Sequence, residues 1–142
     1  MIVIYEGMDK VGKTTLIRKV DSITKFNHFN MDRGPAGFLA YDAIFSRSSH
    51  NRMKSYDETL HGLSKMNCLI VYLYAEENDI NKRLKEHNEK LPEGTNVKDT
   101  LRIYESFVDE CYKDFNLIKL NTSKLTIDEC SRIIESHIRI GE

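Results

Sequence analysis

The chain has 142 residues, 40% of them hydrophobic, which is one ordinary domain with enough apolar material for a core that needs no disulfide or metal staples. Lysine and arginine total 21 against 22 aspartates and glutamates, a formal net charge of −1. That balance excludes a protein that grips nucleic acid or an anionic membrane through bulk positive charge, and leaves room only for a local basic patch.

The longest apolar-aromatic run, Cys68 to Ala75, is far shorter than the roughly 20 residues a bilayer span needs. The opening MIVIYEG lacks a basic segment and a cleavage pattern, so no secretion signal and no membrane partner are expected. Cys68, Cys111 and Cys130 are odd in number and far apart, and neither they nor the five histidines show ligand spacing. Reduced structural thiols in a cytoplasmic protein are the expectation.

In chain order, residues 2–5 read as a buried strand and 13–26 as a helix with Leu16, Ile17, Val20 and Ile23 on one face. Residues 28–31 read as a short strand. Phe38, Tyr41, Ile44 and Phe45 recur at helical spacing over 37–47. Ser55-x-x-Glu58 has the form of a capping box opening a helix to about Lys65. Cys68 to Tyr74 is the clearest buried strand. A charged helix follows over 78–90, then a loop from Pro92 to Asn96, a helix over 97–113 and a strand over 117–121. Thr126-x-x-Glu129 caps the last helix. Pro35 follows Gly34 and Pro92 stands two residues before Gly94, and both are expected in loops. Strands alternating with helices predict an α/β fold with a small parallel sheet covered by helices on both faces.

Chemistry concentrates in Gly7-Met8-Asp9-Lys10-Val11-Gly12-Lys13-Thr14, which fits the phosphate-binding pattern G-x-x-x-x-G-K-[ST]. It follows the first strand and opens the first helix, as the mechanism requires. Glycines let backbone N–H groups turn inward around phosphate oxygens, and the helix terminus adds partial positive charge. Lys13 can then reach the β- and γ-phosphates, and the Thr14 hydroxyl can ligate Mg²⁺. A guanine reader N-K-x-D is missing, since Asn81-Lys82-Arg83-Leu84 lacks the aspartate. Among phosphate-loop proteins the short chain is most compatible with a small kinase.

Tyr5 to Thr15 (YEGMDKVGKTT) resembles the E-G-x-D-x-x-G-K-T-T segment of thymidylate kinases and related deoxynucleotide kinases. Asp32-Arg33-Gly34 followed by Ala40-Tyr41-Asp42 resembles that family's D-R-Y-x-x-S-x-x-A-Y-Q, with glycines at 34 and 37 and Asp42 in place of Tyr, Ser and Gln. The charged helix bearing Arg83 resembles the family's lid, although His87 stands where a second arginine is expected. The family's R-E-P-G acceptor segment is absent, because only about two residues separate the first helix from the second strand.

The resemblance implies a P-loop NTPase-type three-layer α/β/α kinase domain over residues 1–142, with about four parallel strands in the order 28–31, 2–5, 69–74, 117–121 and a lid over 76–96. ATP and Mg²⁺ would be the cofactors. Gly7, Asp9, Lys10, Val11, Gly12, Lys13, Thr14 and Thr15 would hold the phosphates, with Asn121 and Ser123 near adenine. Thr14 and Asp32 would serve the metal. Lys13, Asp32, Arg33 and Arg83 would be catalytic. Asp9, Arg33, Phe38, Tyr41, Asp42 and Arg47 would meet the acceptor nucleotide. Each role has a plainer rival. Asp32-Arg33 fits a local ion pair, Asp9 fits a loop-shaping residue, and Arg83 fits one charge on a solvated helix. Phe38 and Tyr41 equally fit core positions.

The implied reaction moves the ATP γ-phosphate to a deoxynucleoside monophosphate. Two alternatives stay open. The acid-free run Ala43 to Tyr56, with Arg47, Arg52 and Lys54, suits a kinase acting on a nucleotide or modified base within DNA. A nucleotide-binding module without turnover is the other. A homodimer is compatible with all three.

Overall fold

The computed structural model describes residues 1–46 and 50–140. Four parallel strands, β1 (Ile2–Glu6), β2 (Phe29–Asp32), β3 (Cys68–Tyr74) and β4 (Asn116–Asn121), form one sheet in the order β2-β1-β3-β4. This is the order expected from the sequence. Six helices among the described residues connect them: α1 (Lys13–Thr24), α2 (Pro35–Ile44), α3 (His50–Leu63), α4 (Glu77–Glu86), α5 (Val97–Cys111) and α6 (Ile127–Ile140). Helix α1 packs with α6, and α2 with α5, giving three layers. None of the helices is long and apolar enough to cross a membrane.

The central strands are almost continuously buried, as strands covered on both faces must be. Each fully buried Val, Leu or Ile there contributes roughly 1.5–3 kcal/mol relative to exposure. Alternation along β1 divides the layers. Ile4 and Glu6 point to α2 and α5, where Gly34 closes on both side chains. Tyr5 points to the opposite face, near Asp21 of α1. In register, Tyr5 pairs with Asp32 and Glu6 with Tyr72. The carboxyl ends of β1, β2 and β3 therefore lie side by side, with the β1–α1 turn above them.

Several boundaries differ from the expected ones, each for a local reason. Pro35 is not in a loop; it is the first residue of α2, where its missing N–H costs nothing. Helix α3 begins at His50, so Ser55 and Glu58 sit inside it and form no cap; Ser55 instead offers its carbonyl to the Thr59 hydroxyl at 3.0 Å. Helix α1 stops at Thr24 because Lys25 and Phe26 take left-handed backbone angles. Helix α4 stops at Glu86, short of residue 90. The box at Thr126 does form: the Glu129 N–H reaches the Thr126 hydroxyl at 3.1 Å, and the Thr126 N–H reaches the Glu129 carboxylate at 3.2 Å.

Candidate active site

The β1–α1 turn runs from Gly7 to Gly12. Gly7 has φ of 153°, and a Cβ there would lie 2.7 Å from the Leu73 carbonyl oxygen, so only glycine fits. Lys10 (φ 69°) and Gly12 (φ 90°) are left-handed, which turns the segment back onto the start of α1. Gly12 is the N-cap, no side chain caps the helix, and its first turn holds no acid. An uncapped helix start with its partial positive charge is a site for an anion. Met8, Asp9, Lys10, Gly12, Lys13, Thr14 and Thr15 line a cavity of about 410 Å³ over it, closed on the far side by Glu89.

Two cations, Lys10 and Lys13, line this cavity and Arg33 stands beside it, each facing a carboxylate. Lys13 Nζ lies 2.9 Å from Asp32 Oδ1 across the β1–β2 edge. Lys10 Nζ lies 2.9 Å from Glu89 Oε1, which joins the loop to the segment after α4. Arg33 Nη2 lies 3.7 Å from Asp9 Oδ1. Arg83 is not one more charge on a solvated helix: its Nη1 donates to the Lys10 carbonyl at 2.7 Å. His87 Nδ1 meets the Arg83 carbonyl at 2.8 Å.

Beside this cavity, Asp9, Lys13, Thr14, Asp32, Arg33 and Phe38 line a second space of about 340 Å³. Phe38 is 45% exposed and stacks on Tyr56, with ring planes 7° apart. Tyr41 is half-buried and carries the Arg33 guanidinium 4.4 Å above its ring. Asp42 is 2% exposed and lines neither space. Arg47 lies outside the described residues.

A third space, about 460 Å³, opens between the turn after β4 and α4, and includes Val11, Gly12, Thr15, Arg83, His87, Thr122, Leu125 and Ile127. Asn121 and Ser123 do not line it. Asn121 Nδ2 donates to Glu76 Oε1 at 3.2 Å, and the Ser123 hydroxyl accepts the Glu76 N–H at 2.8 Å. They hold the entry to α4, and the residues after them line the cavity.

The residue that sequence reasoning left without a role is Glu6. It is fully buried and accepts four hydrogen bonds: Gly34 N–H (2.8 Å) and Tyr104 OH (3.2 Å) at Oε1, Gly37 N–H (3.0 Å) and Tyr112 OH (2.9 Å) at Oε2. Burial pushes its carboxyl above the usual range, and the four donors act the other way. Burial likewise raises the Tyr104 and Tyr112 hydroxyls. A charged residue at the end of an otherwise apolar strand was the available signal.

Thr14 and Asp32 are hard oxygen donors. Among the described residues no three His, Cys, Asp or Glu side chains cluster as a metal site. Such a sparse set suits Mg²⁺, which takes most of its shell from water and phosphate.

No family model matches the chain, and no curated protein matches it. Among solved structures, the YorR protein of Bacillus subtilis, crystallised in complex with phosphorylated GDP, matches with a TM-score of 0.78 over 99% of this chain and 96% of that one, at 18% identity. At that identity the likeness shows the fold: a three-layer α/β architecture that a nucleotide-binding protein uses.

Proposed function

We propose that residues 1–142 form one P-loop nucleotide kinase that moves the ATP γ-phosphate to a deoxynucleoside monophosphate, with 76–96 as its lid. The reading rests on one observation above the others. The uncapped start of α1, wrapped by the Gly7–Gly12 turn, has Lys10, Lys13, Arg33 and Arg83 arranged around it from four different elements or turns. Phosphoryl transfer needs little covalent help from protein; it needs positioning and positive charge on the equatorial oxygens. The amides of the turn and Lys13 would hold the donor phosphates. Arg33, between the two spaces, would clamp the transferring group, and Arg83 would fasten the lid to the loop. Thr14 and Asp32 would hold Mg²⁺, which supplies charge neutralisation at the phosphates. Phe38 and Tyr56 offer an aromatic face to the acceptor's base. The resemblance of both motifs to deoxynucleotide kinases supports the acceptor class, and YorR's nucleotide complex supports nucleotide binding in general.

The test is transfer from labelled ATP with Mg²⁺ to a panel of deoxynucleoside monophosphates, nucleosides and oligonucleotides. Labelling of a monophosphate is expected. Labelling of oligonucleotides alone would replace the acceptor with DNA, and tight ATP binding without transfer to any acceptor would replace the kinase with a binding module.

A further inference from the structure

We propose that Glu6 is a positioning residue that fixes Arg33 for phosphoryl transfer, an inference that rests on the kinase reading for its chemistry and on geometry for its placement. The turn from Asp32 to Gly37 is tied to the end of β1 at three points. The Arg33 N–H donates to the Tyr5 carbonyl at 2.8 Å, and the Gly34 and Gly37 N–H groups donate to the two carboxylate oxygens of Glu6. These two amides open α2, whose N-cap Gly34 has no side chain of its own to satisfy them. Glu6 does so from the neighbouring strand, as a remote carboxylate cap.

The capped turn holds Arg33 in a left-handed conformation, φ 73°, which an arginine adopts only when its surroundings impose it. Its stem then crosses Gly37, where a Cβ would lie 2.5 Å from Arg33 Cγ, 2.8 Å from Glu6 Oε1 and 2.3 Å from the Tyr104 hydroxyl. From there the guanidinium rests on Tyr41 and faces Asp9, and its buried Nε has no hydrogen-bond partner. Tyr104 and Tyr112 press the carboxylate from α5. Packing alone would be served by an apolar side chain of the same shape, without the cost of burying a charge. Glu6 also immediately precedes Gly7, so one buried group sets the relation between the phosphate loop and the arginine.

Glu6→Gln tests this. An amide keeps the shape but replaces one oxygen with a donor, so one of the two glycine N–H groups loses its tie to residue 6, Gly37 then keeping only its bond to the Gly34 carbonyl at 3.1 Å. The kcat is expected to fall at least tenfold with the KM for ATP within twofold, and the same substitution in an Arg33→Ala background is expected to change kcat less than twofold. The Arg33 Nε–H resonance, shifted by the Tyr41 ring in the native chain, should return toward the free-arginine position. Equal losses in both backgrounds, or an unmoved Arg33 resonance, overturn the proposal. If the native chain phosphorylates no acceptor but the resonance moves, the kinase reading falls and the positioning stands. Should Glu6→Gln fail to fold, Tyr112→Phe keeps the carboxylate and removes one of its donors. It is expected to cost about threefold in kcat, and that loss should also vanish with Arg33→Ala; persistence there overturns the proposal.

Discussion

Asp32→Asn is expected to move ATP affinity in opposite directions with and without magnesium. Without nucleotide, Lys13 Nζ is held 2.9 Å from Asp32 Oδ1; the lysine is 12% exposed and the aspartate 54%. With one partner more than half in water, such a pair contributes only about 0.5–1 kcal/mol after screening. A polyphosphate entering the loop must take Lys13 from that carboxylate and tolerate its charge nearby. Replacing Asp32 by the neutral isostere removes both costs. In excess EDTA, calorimetry should therefore find ATP bound about two- to fivefold more tightly, with the gain shrinking as salt is raised. With Mg²⁺ present, loss of the carboxylate should lower kcat at least a hundredfold. An EDTA affinity that stays level or weakens would refute the idea that Lys13 exchanges Asp32 for phosphate.

Lys13→Ala should lower phosphotransfer by several orders of magnitude while leaving the far-ultraviolet dichroism and the melting temperature nearly unchanged; native turnover would remove the assignment of the loop. Gly7→Ala should destabilise the fold by about 3 kcal/mol in urea titration, since its Cβ would press on a backbone carbonyl of β3 that cannot move aside; a loss below 1 kcal/mol would mean that the turn relaxes. Burial holds the Cys111 thiol up at about 11 against an ordinary 9.0, so its thiolate is about a hundredfold rarer near neutral pH. Maleimide labelling at pH 8, read site by site in the mass spectrometer, should be slower in the native chain by about that factor than in urea. Because the folded value lies above the unfolded one, this group's contribution to stability is complete below pH 9.0 and lost as pH rises towards about 11, so the melting temperature should fall across that window more than in Cys111→Ser.

What the sequence made legible follows local rules. β1 and β3 are short apolar runs whose residues need cover on both faces, and Gly12-Lys13-Thr14 announces a helix start by its backbone demands alone. The strand order came with the P-loop kinase fold that the motif and the family resemblance implied. The start of α3 was not legible, because Ser55-x-x-Glu58 has the form of a cap and only the chain before it decides that a helix is already running. The same holds for Asn121 and Ser123, whose partner Glu76 lies across the β3–β4 edge. Glu6 was quoted within a motif and given no task, because its four partners come from residues 28 to 106 positions away. Burial of a charge becomes informative only when its donors can be counted.

The charge balance that excluded a bulk polyanion binder is compatible with a phosphate site once the ion pairs are considered together. Asp9 faces Arg33, Asp32 faces Lys13 and Glu89 faces Lys10. Each of these three cations is thus present but already matched by a carboxylate. A phosphate chain can bind there by exchange, taking three cations from partners that are each at least half exposed and readily rehydrated. Because Glu89 lies beyond α4, drawing Lys10 towards phosphate also breaks a contact between the loop and the segment after α4, while the Arg83 bond to the Lys10 carbonyl keeps α4 joined to the loop. Affinity in such a site depends on how well the loop amides and the start of α1 outbid three weak ion pairs, and a chain of net charge −1 can meet that condition without a basic surface.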